Sequence, residues 1–269
     1  MGDAEEEYAD RSLVVRESKN DGRFALWLMP PRLTEGTVTV TATSQNMTLS
    51  RKVPFTLDVS AAQMNLMKPH KILFAYQKDT TRPYSFYWQY QSQFGLRGGR
   101  HDDSVVYTLP YQPGTSHRVG QGFLGGFTHY ARSQEEFAVD FLMDEGTTIC
   151  AAREGVVILV RADSRVGGAD VQKYRNAANY VVIKHSDGTY ARYAHLQYAG
   201  ALVQLGAKVV RGQPIGKSGT TGATTTPHLH FDVSVPIDGM TRRSIPIRFR
   251  TSEGIVSNPV KGQTYTCVQ

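Results

Sequence analysis

At 269 residues, 40% apolar and 20% charged, the chain has an ordinary globular composition and can bury a sizeable core. Its formal charge of +6 suits an anionic partner such as a cell wall, an outer membrane or a nucleic acid, without choosing among them. No apolar run approaches the ~18 residues of a membrane helix, and the acidic start MGDAEEEYAD lacks the basic and apolar regions of a signal peptide.

Helical periodicity is scarce. From the N-terminus, short alternating runs recur: SLVVRES, RFALWLMP, GTVTVTATS, KVPFTLDVS, KILFAYQ and SFYWQYQ. NDG, PP, TEG and RGG punctuate them, the pattern of an all-β chain. Gly and charge cluster in GLRGGRHDDS, residues 95–104, which predicts a boundary there. The expected organisation is an N-terminal β-sandwich-like module over 1–104, then an antiparallel β-sheet domain over 105–269. The second half reads VVYTLPY, the glycine-rich QGFLGGFTH, FAVDFLM, TTICAA, EGVVILVRA, NYVVIKH, TYARYAHL and HLHFDVSV. Asp187-Gly188 signals a hairpin, with His185 as a hairpin residue. Residues 163–178 show little periodicity and read as a loop or insertion with room for a short helix. Cys150 and Cys267, the only cysteines, could pair in an oxidising compartment or remain two buried thiols.

His70, His101 and His117 lie in polar or turn-like contexts and suggest no chemistry. His228 and His230, in PHLHFDV, are different. Residues i and i+2 of a strand share one face, so both imidazoles point the same way and Leu229 points opposite, into a core. Two such imidazoles are costly unless exposed on an edge strand or used as lone-pair donors, and a divalent metal is the natural user. Candidate companions exist. His129 closes GGFTH, and Asp140 sits inside the apolar FAVDF, where an unpaired carboxylate would be expensive. His195 ends the strand-like YARYAHL. Catalytic zinc sites usually use three protein ligands, leaving one position for water and room for nearby histidines as acid, base or oxyanion donor.

GGFTH, AVDF, EGTTICAAREGVV, ANYVVIKHSDGTYARYAHL, VVRGQPIGKSGTTG and PHLHFDV, in that order, resemble the M23 peptidases, the lysostaphin-like or LytM-type zinc endopeptidases of bacterial cell walls. The resemblance runs from about Val105 to Phe249. It implies Zn2+ held by His129, Asp140 and His230, with His195 and His228 as the catalytic histidines. It also implies water-mediated cleavage of peptidoglycan stem cross-links or interpeptide bridges, outside the cytoplasm. The implied partners are peptidoglycan peptides, with no nucleic acid and no integral membrane segment. Tyr130, Tyr190 and Tyr193 could line the groove or simply pack in strands. The first module would bind wall, position the enzyme or cover the groove. The alternative is a non-catalytic wall-binding relative or an activator of other wall hydrolases; such relatives typically lack some of these residues, whereas all five positions are filled here.

One departure is visible. Ten residues separate His129 from Asp140, where the common pattern has three. A bulge or loop must bring them together. GQPIGKS, residues 212–218, is one residue short of a phosphate-binding loop and leads into a strand, so it is read as a turn.

Overall fold

The computed structural model describes residues 14–29, 35–60 and 69–268, and the chain separates into two compact units. The first comprises residues 11–97 together with 236–242. A four-stranded sheet is ordered Val14–Asn20, Arg23–Met29, His70–Gln77, Met47–Leu49. A three-stranded sheet is ordered Phe55–Val59, Gly36–Gln45, Ser85–Phe94. The inward residues of both sheets form one core: Val15, Leu26, Leu28, Ile72 and Leu73 from the first, Val38, Val40 and Val59 from the second. Two sheets closing over one apolar layer make a sandwich. The short 236–242 segment joins it through Gly239, whose N–H donates to Thr39 Oγ1 at 2.8 Å.

The second unit comprises residues 98–235 and 243–269 and is organised by a large, mainly antiparallel sheet. Its central order is Gly155–Arg161, Asn179–Lys184, Tyr190–Ala201, His228–Pro236, Val139–Leu142, Ser116–Gln121. NYVVIK is buried on both faces, with Val181, Val182 and Ile183 fully inaccessible, hence its near-continuous apolar run. Phe141, Leu229, Phe231 and Phe249 fill the main core. Tyr190 and Tyr193 are buried as well, and Tyr193 Oη accepts from Ala152 N–H at 2.8 Å. These two tyrosines therefore serve packing, while Tyr130 is exposed. Residues 163–178 hold a short strand, Gly167–Gly168, parallel to Gly222–Ala223, and one helical turn, Val171–Tyr174, capped by Asp170. Cys150 and Cys267 are buried free thiols, and burial pushes both up to about 11. Among the described residues no helix is long and apolar enough to cross a membrane.

The Asp187-Gly188 turn joins two paired strands. His185 is buried beside it. Its Nδ1 donates to Glu154 O at 2.8 Å, and its Nε2 has no partner among the described residues. Tyr107, Arg153, Asp187 and Glu154 surround it. Burial pushes its pKa from 6.5 down to about 4. The folded state therefore holds His185 neutral, while the unfolded chain gains a proton first as pH falls. Its contribution to stability is full above pH 6.5 and lost progressively as pH falls from 6.5 toward 4. The urea midpoint is expected to drop between pH 7 and pH 5, and the drop to be shallower in His185→Asn, whose amide can replace the Nδ1 donor. Equal slopes in the two proteins would remove His185 as a cause.

Candidate metal and catalytic site

The site sits where three strands meet. In the antiparallel register, Asp140 lies directly opposite His230, and Leu142 opposite His228. On the other side His230 faces Ala194, next to His195. Opposed residues on neighbouring strands bring their Cβ atoms to about 5 Å, so the Asp140–His230 contact follows from the register alone. The His228–Pro236 strand is central and buried along its whole length, which excludes an exposed edge pair.

His129 comes from the loop after Ser116–Gln121, and Gln121 holds that loop in place. Its Oε1 accepts from the N–H groups of Phe127 and Thr128, while its Nε2 donates to Thr128 Oγ1 at 2.7 Å and Asp140 Oδ2 at 3.2 Å. His129 Nδ1 donates to Gly122 O at 3.2 Å, leaving Nε2 unprotonated and aimed at Asp140 Oδ1, 3.5 Å away. The spacer of ten residues thus loops out and still delivers His129 to Asp140.

The ligand atoms of His129, Asp140 and His230 all lie within 4.8 Å of one another. His230 Nδ1 approaches Asp140 Oδ1 at 3.0 Å. His129 Nε2 is fully buried and has no hydrogen-bond partner among the described residues, a cost that a cation would remove. Two imidazole nitrogens and a carboxylate oxygen are the donors a zinc ion prefers, so the residues present fit the metal. His230 Nε2 lies between a proton acceptor, Asp232 Oδ2 at 3.3 Å, and a donor, Arg192 Nη2 at 3.1 Å, so this pair orients the ring with Nδ1 toward Asp140.

His195 and His228 stand beside this triangle, their ring centroids 4.6 Å apart. His195 Nδ1 donates to Thr221 O at 2.7 Å and His228 Nδ1 to Thr226 O at 2.8 Å. Both Nε2 atoms are therefore free, and His228 Nε2 is 3.7 Å from Asp140 Oδ1. His195 has φ 65°, in the left-handed region that costs a side-chain-bearing residue energy. A buried clamp holds it there. Thr221 Oγ1 donates to Leu196 O at 2.6 Å, and Asn179 Nδ2 donates to Gln197 O at 3.1 Å.

Electrostatics divide the histidines. Burial, with His228 and His230 adding to it, pushes His195 down to about 3. Burial also lowers His129. His230 moves the other way. Burial opposes its charge, yet the carboxylates of Glu135, Asp140 and Asp232 outweigh it and raise the pKa to about 9. Asp140 is likewise penalised by burial, but His230, His228 and His129 hold it well below the usual carboxylate range. A cation and the His230 proton therefore compete for one place.

Arg192, Asp232 and Glu135, none of them evident from motif reading, complete the support. Arg192 Nε donates to Asp232 Oδ2 at 2.9 Å and its Nη2 to Glu135 Oε1 at 2.5 Å. Asp232 alone could have been suspected, because it shares the strand face of His228 and His230.

The profile described as Peptidase family M23 matches residues 134–240, which include Asp140, His195, His228 and His230. The chain carries a peptidase family M23 domain. The M23 match begins after His129, so that residue joins the site through the structure. Across 111 residues the chain is 40% identical to peptidoglycan DD-endopeptidase ShyA of Vibrio cholerae, covering 40% of this chain and 23% of ShyA. It is 29% identical over 160 residues to lysostaphin of Staphylococcus simulans, covering 59% of this chain and 29% of that one. A solved structure of the antimicrobial peptidase lysostaphin from the same organism matches with 29% identity and a TM-score of 0.35, over 48% of this chain and 47% of that one. The chain thus spans less than a third of the length of these two curated relatives.

Proposed function

We propose that this chain is a zinc-dependent endopeptidase that hydrolyses peptide bonds of bacterial peptidoglycan outside the cytoplasm. The observation that carries the reading is the convergence of His129, Asp140 and His230 within 4.8 Å, flanked by His195 and His228, in an M23 domain. The names of the relatives, a peptidoglycan DD-endopeptidase and lysostaphin, support a wall peptide as substrate.

His129 would bind zinc through Nε2, His230 through Nδ1 and Asp140 through Oδ1. Bound there, zinc supplies Lewis acidity and lowers the pKa of a water toward about 7. His195 and His228 do the proton work. Each has its Nδ1 proton committed to a backbone carbonyl and offers Nε2 to the groove. Neutral His195 can take a proton from the attacking water as the C–O bond forms. The scissile C–N bond then breaks as a proton reaches the leaving amine from the same pair. An amide needs help at both ends, which two adjacent imidazoles provide. The non-catalytic alternative leaves this pair, and the clamp that strains His195, without a use.

The test is mass spectrometry of fragments released from purified peptidoglycan by the zinc-loaded protein. Peptide-bond cleavage products that vanish on chelation are expected and name the bond. A zinc-loaded protein that releases nothing from several wall types would favour the activator reading.

A further inference from the structure

The groove over the site has a volume of about 440 Å3, room for a short peptide segment. Its charged lining residues fall into two groups. Glu135, Asp140 and Arg192 are engaged with one another's network through His230 and Asp232. Arg175 and Lys261 are exposed and have no carboxylate partner among the described residues. In the sheet order they flank the strands that carry Asp140, His195, His228 and His230: Lys261 lies beside Ser116–Gln121 and Arg175 just before Asn179–Lys184.

Lys261 is on the His129 side. The backbone around it is pinned to the Ser116–Gln121 strand: Gly262 N–H donates to Val119 O, and Val119 N–H to Gln263 O, each at 2.8 Å. Close packing fixes this loop further, since a Cβ on Gly122 would lie 2.0 Å from Pro259 O. Arg175 is on the His195 side. It caps the Val171–Tyr174 turn, and Thr224 N–H, donating to Gly168 O at 3.0 Å, ties that region to the segment carrying Thr221. Both cations therefore line the same groove as Asp140, His195, His228 and His230.

We propose that Arg175 and Lys261 are specificity-determining residues that select a peptide bearing free carboxylates on both sides of the scissile bond. The proposal rests on the endopeptidase reading for its substrate. An unpaired cation at each end of a groove is solvated at little cost and gains when an acidic group docks beside it. A neutral bridge such as a glycine chain offers neither end a partner. The same cations, part of the chain's net charge of +6, would draw acidic peptides toward the groove.

The experiment uses the full zinc-loaded chain and cross-linked peptide dimers from peptidoglycan, native or with their carboxyl groups converted to amides. Chromatography gives kcat/KM for each. Amidation is expected to lower kcat/KM by about tenfold or more in the unaltered protein. Arg175→Gln and Lys261→Gln should each shrink that preference by up to about fivefold, and the double variant should remove it. Equal rates on the two dimers, or a preference that survives in the double variant, would overturn the proposal. Should neither dimer be cut although zinc is bound, the endopeptidase reading is what fails. Calorimetric binding of the corresponding uncross-linked peptides then decides this proposal separately. Tighter binding of the acidic peptide, lost in the double variant, upholds it, and equal binding of both peptides sinks it.

Discussion

His230→Ala is expected to empty the metal site, whereas His228→Ala should keep the metal and lose the reaction. The two histidines are two residues apart on one strand face, yet their nitrogens have different surroundings. His230 presents Nδ1 to Asp140 Oδ1 at 3.0 Å and completes the triangle with His129. His228 has Nδ1 tied to Thr226 O and stands outside that triangle. Loss of a supporting residue around a metal-bound histidine typically costs 10–100-fold in affinity, so loss of the ligand itself should exceed about 100-fold. Removing one of two proton-transfer groups should cost roughly 10²–10⁴-fold in kcat. Zinc titration against a chromogenic chelator and peptidoglycan turnover are measured on both variants. Thermal melting checks that each still folds, and His230→Asn serves if the alanine variant does not. Were His228→Ala the variant that empties the site, the division of roles would be wrong.

The period of two in a strand accounts for which side chains of this centre share a face, while the roles given to them come from the resemblance to the M23 peptidases. FAVDF has one polar residue, Asp140, and HLHFDV puts His228, His230 and Asp232 on one face; antiparallel pairing sets Asp140 against His230. His195 could be nominated only as a strand-end histidine, because a positive φ has no signature in the residue itself. His129 is the residue that local pattern places least. A spacer of ten residues gives no period to follow, and its fold depends on Gln121, a neutral side chain in an unremarkable alternating strand. Alternation also leaves open whether HLHFDV lies at an edge or at the centre, since it says which residues share a face and not what covers it. Nor does local pattern show that residues 236–242, a short connection between strands, belong to the first compact unit. Such assignments depend on contacts between residues far apart in sequence.

Arg192→Met is expected to be the most damaging change that leaves every proposed ligand and catalytic histidine in place. Arg192 holds two carboxylates, Asp232 at 2.9 Å and Glu135 at 2.5 Å, and its Nη2 lies 3.1 Å from His230 Nε2. The Asp232 side chain has no solvent exposure at all. Removing one partner of a buried pair strands the other charge and costs about 3–5 kcal/mol. Arg192 is itself one-fifth exposed, so some water can reach the gap and the lower end of that range is the better expectation. Arg192→Lys should recover only part, because an ammonium cannot reach two carboxylates in the planar geometry of a guanidinium. Adding Asp232→Asn to Arg192→Met removes the stranded charge, so the pair should be less harmful than the sum of the singles. Zinc affinity gives a second reading. With Arg192 gone, Asp232 and Glu135 act on His230 unopposed, favouring its protonated form over the form that takes a metal. Affinity near pH 7 should therefore fall by about 10–100-fold, and the loss should shrink as pH rises past 9. Urea unfolding and chelator competition across that pH range measure both effects. A stability loss under about 1 kcal/mol, with additive double-mutant energies, would mean that the Arg192 network carries little of the site.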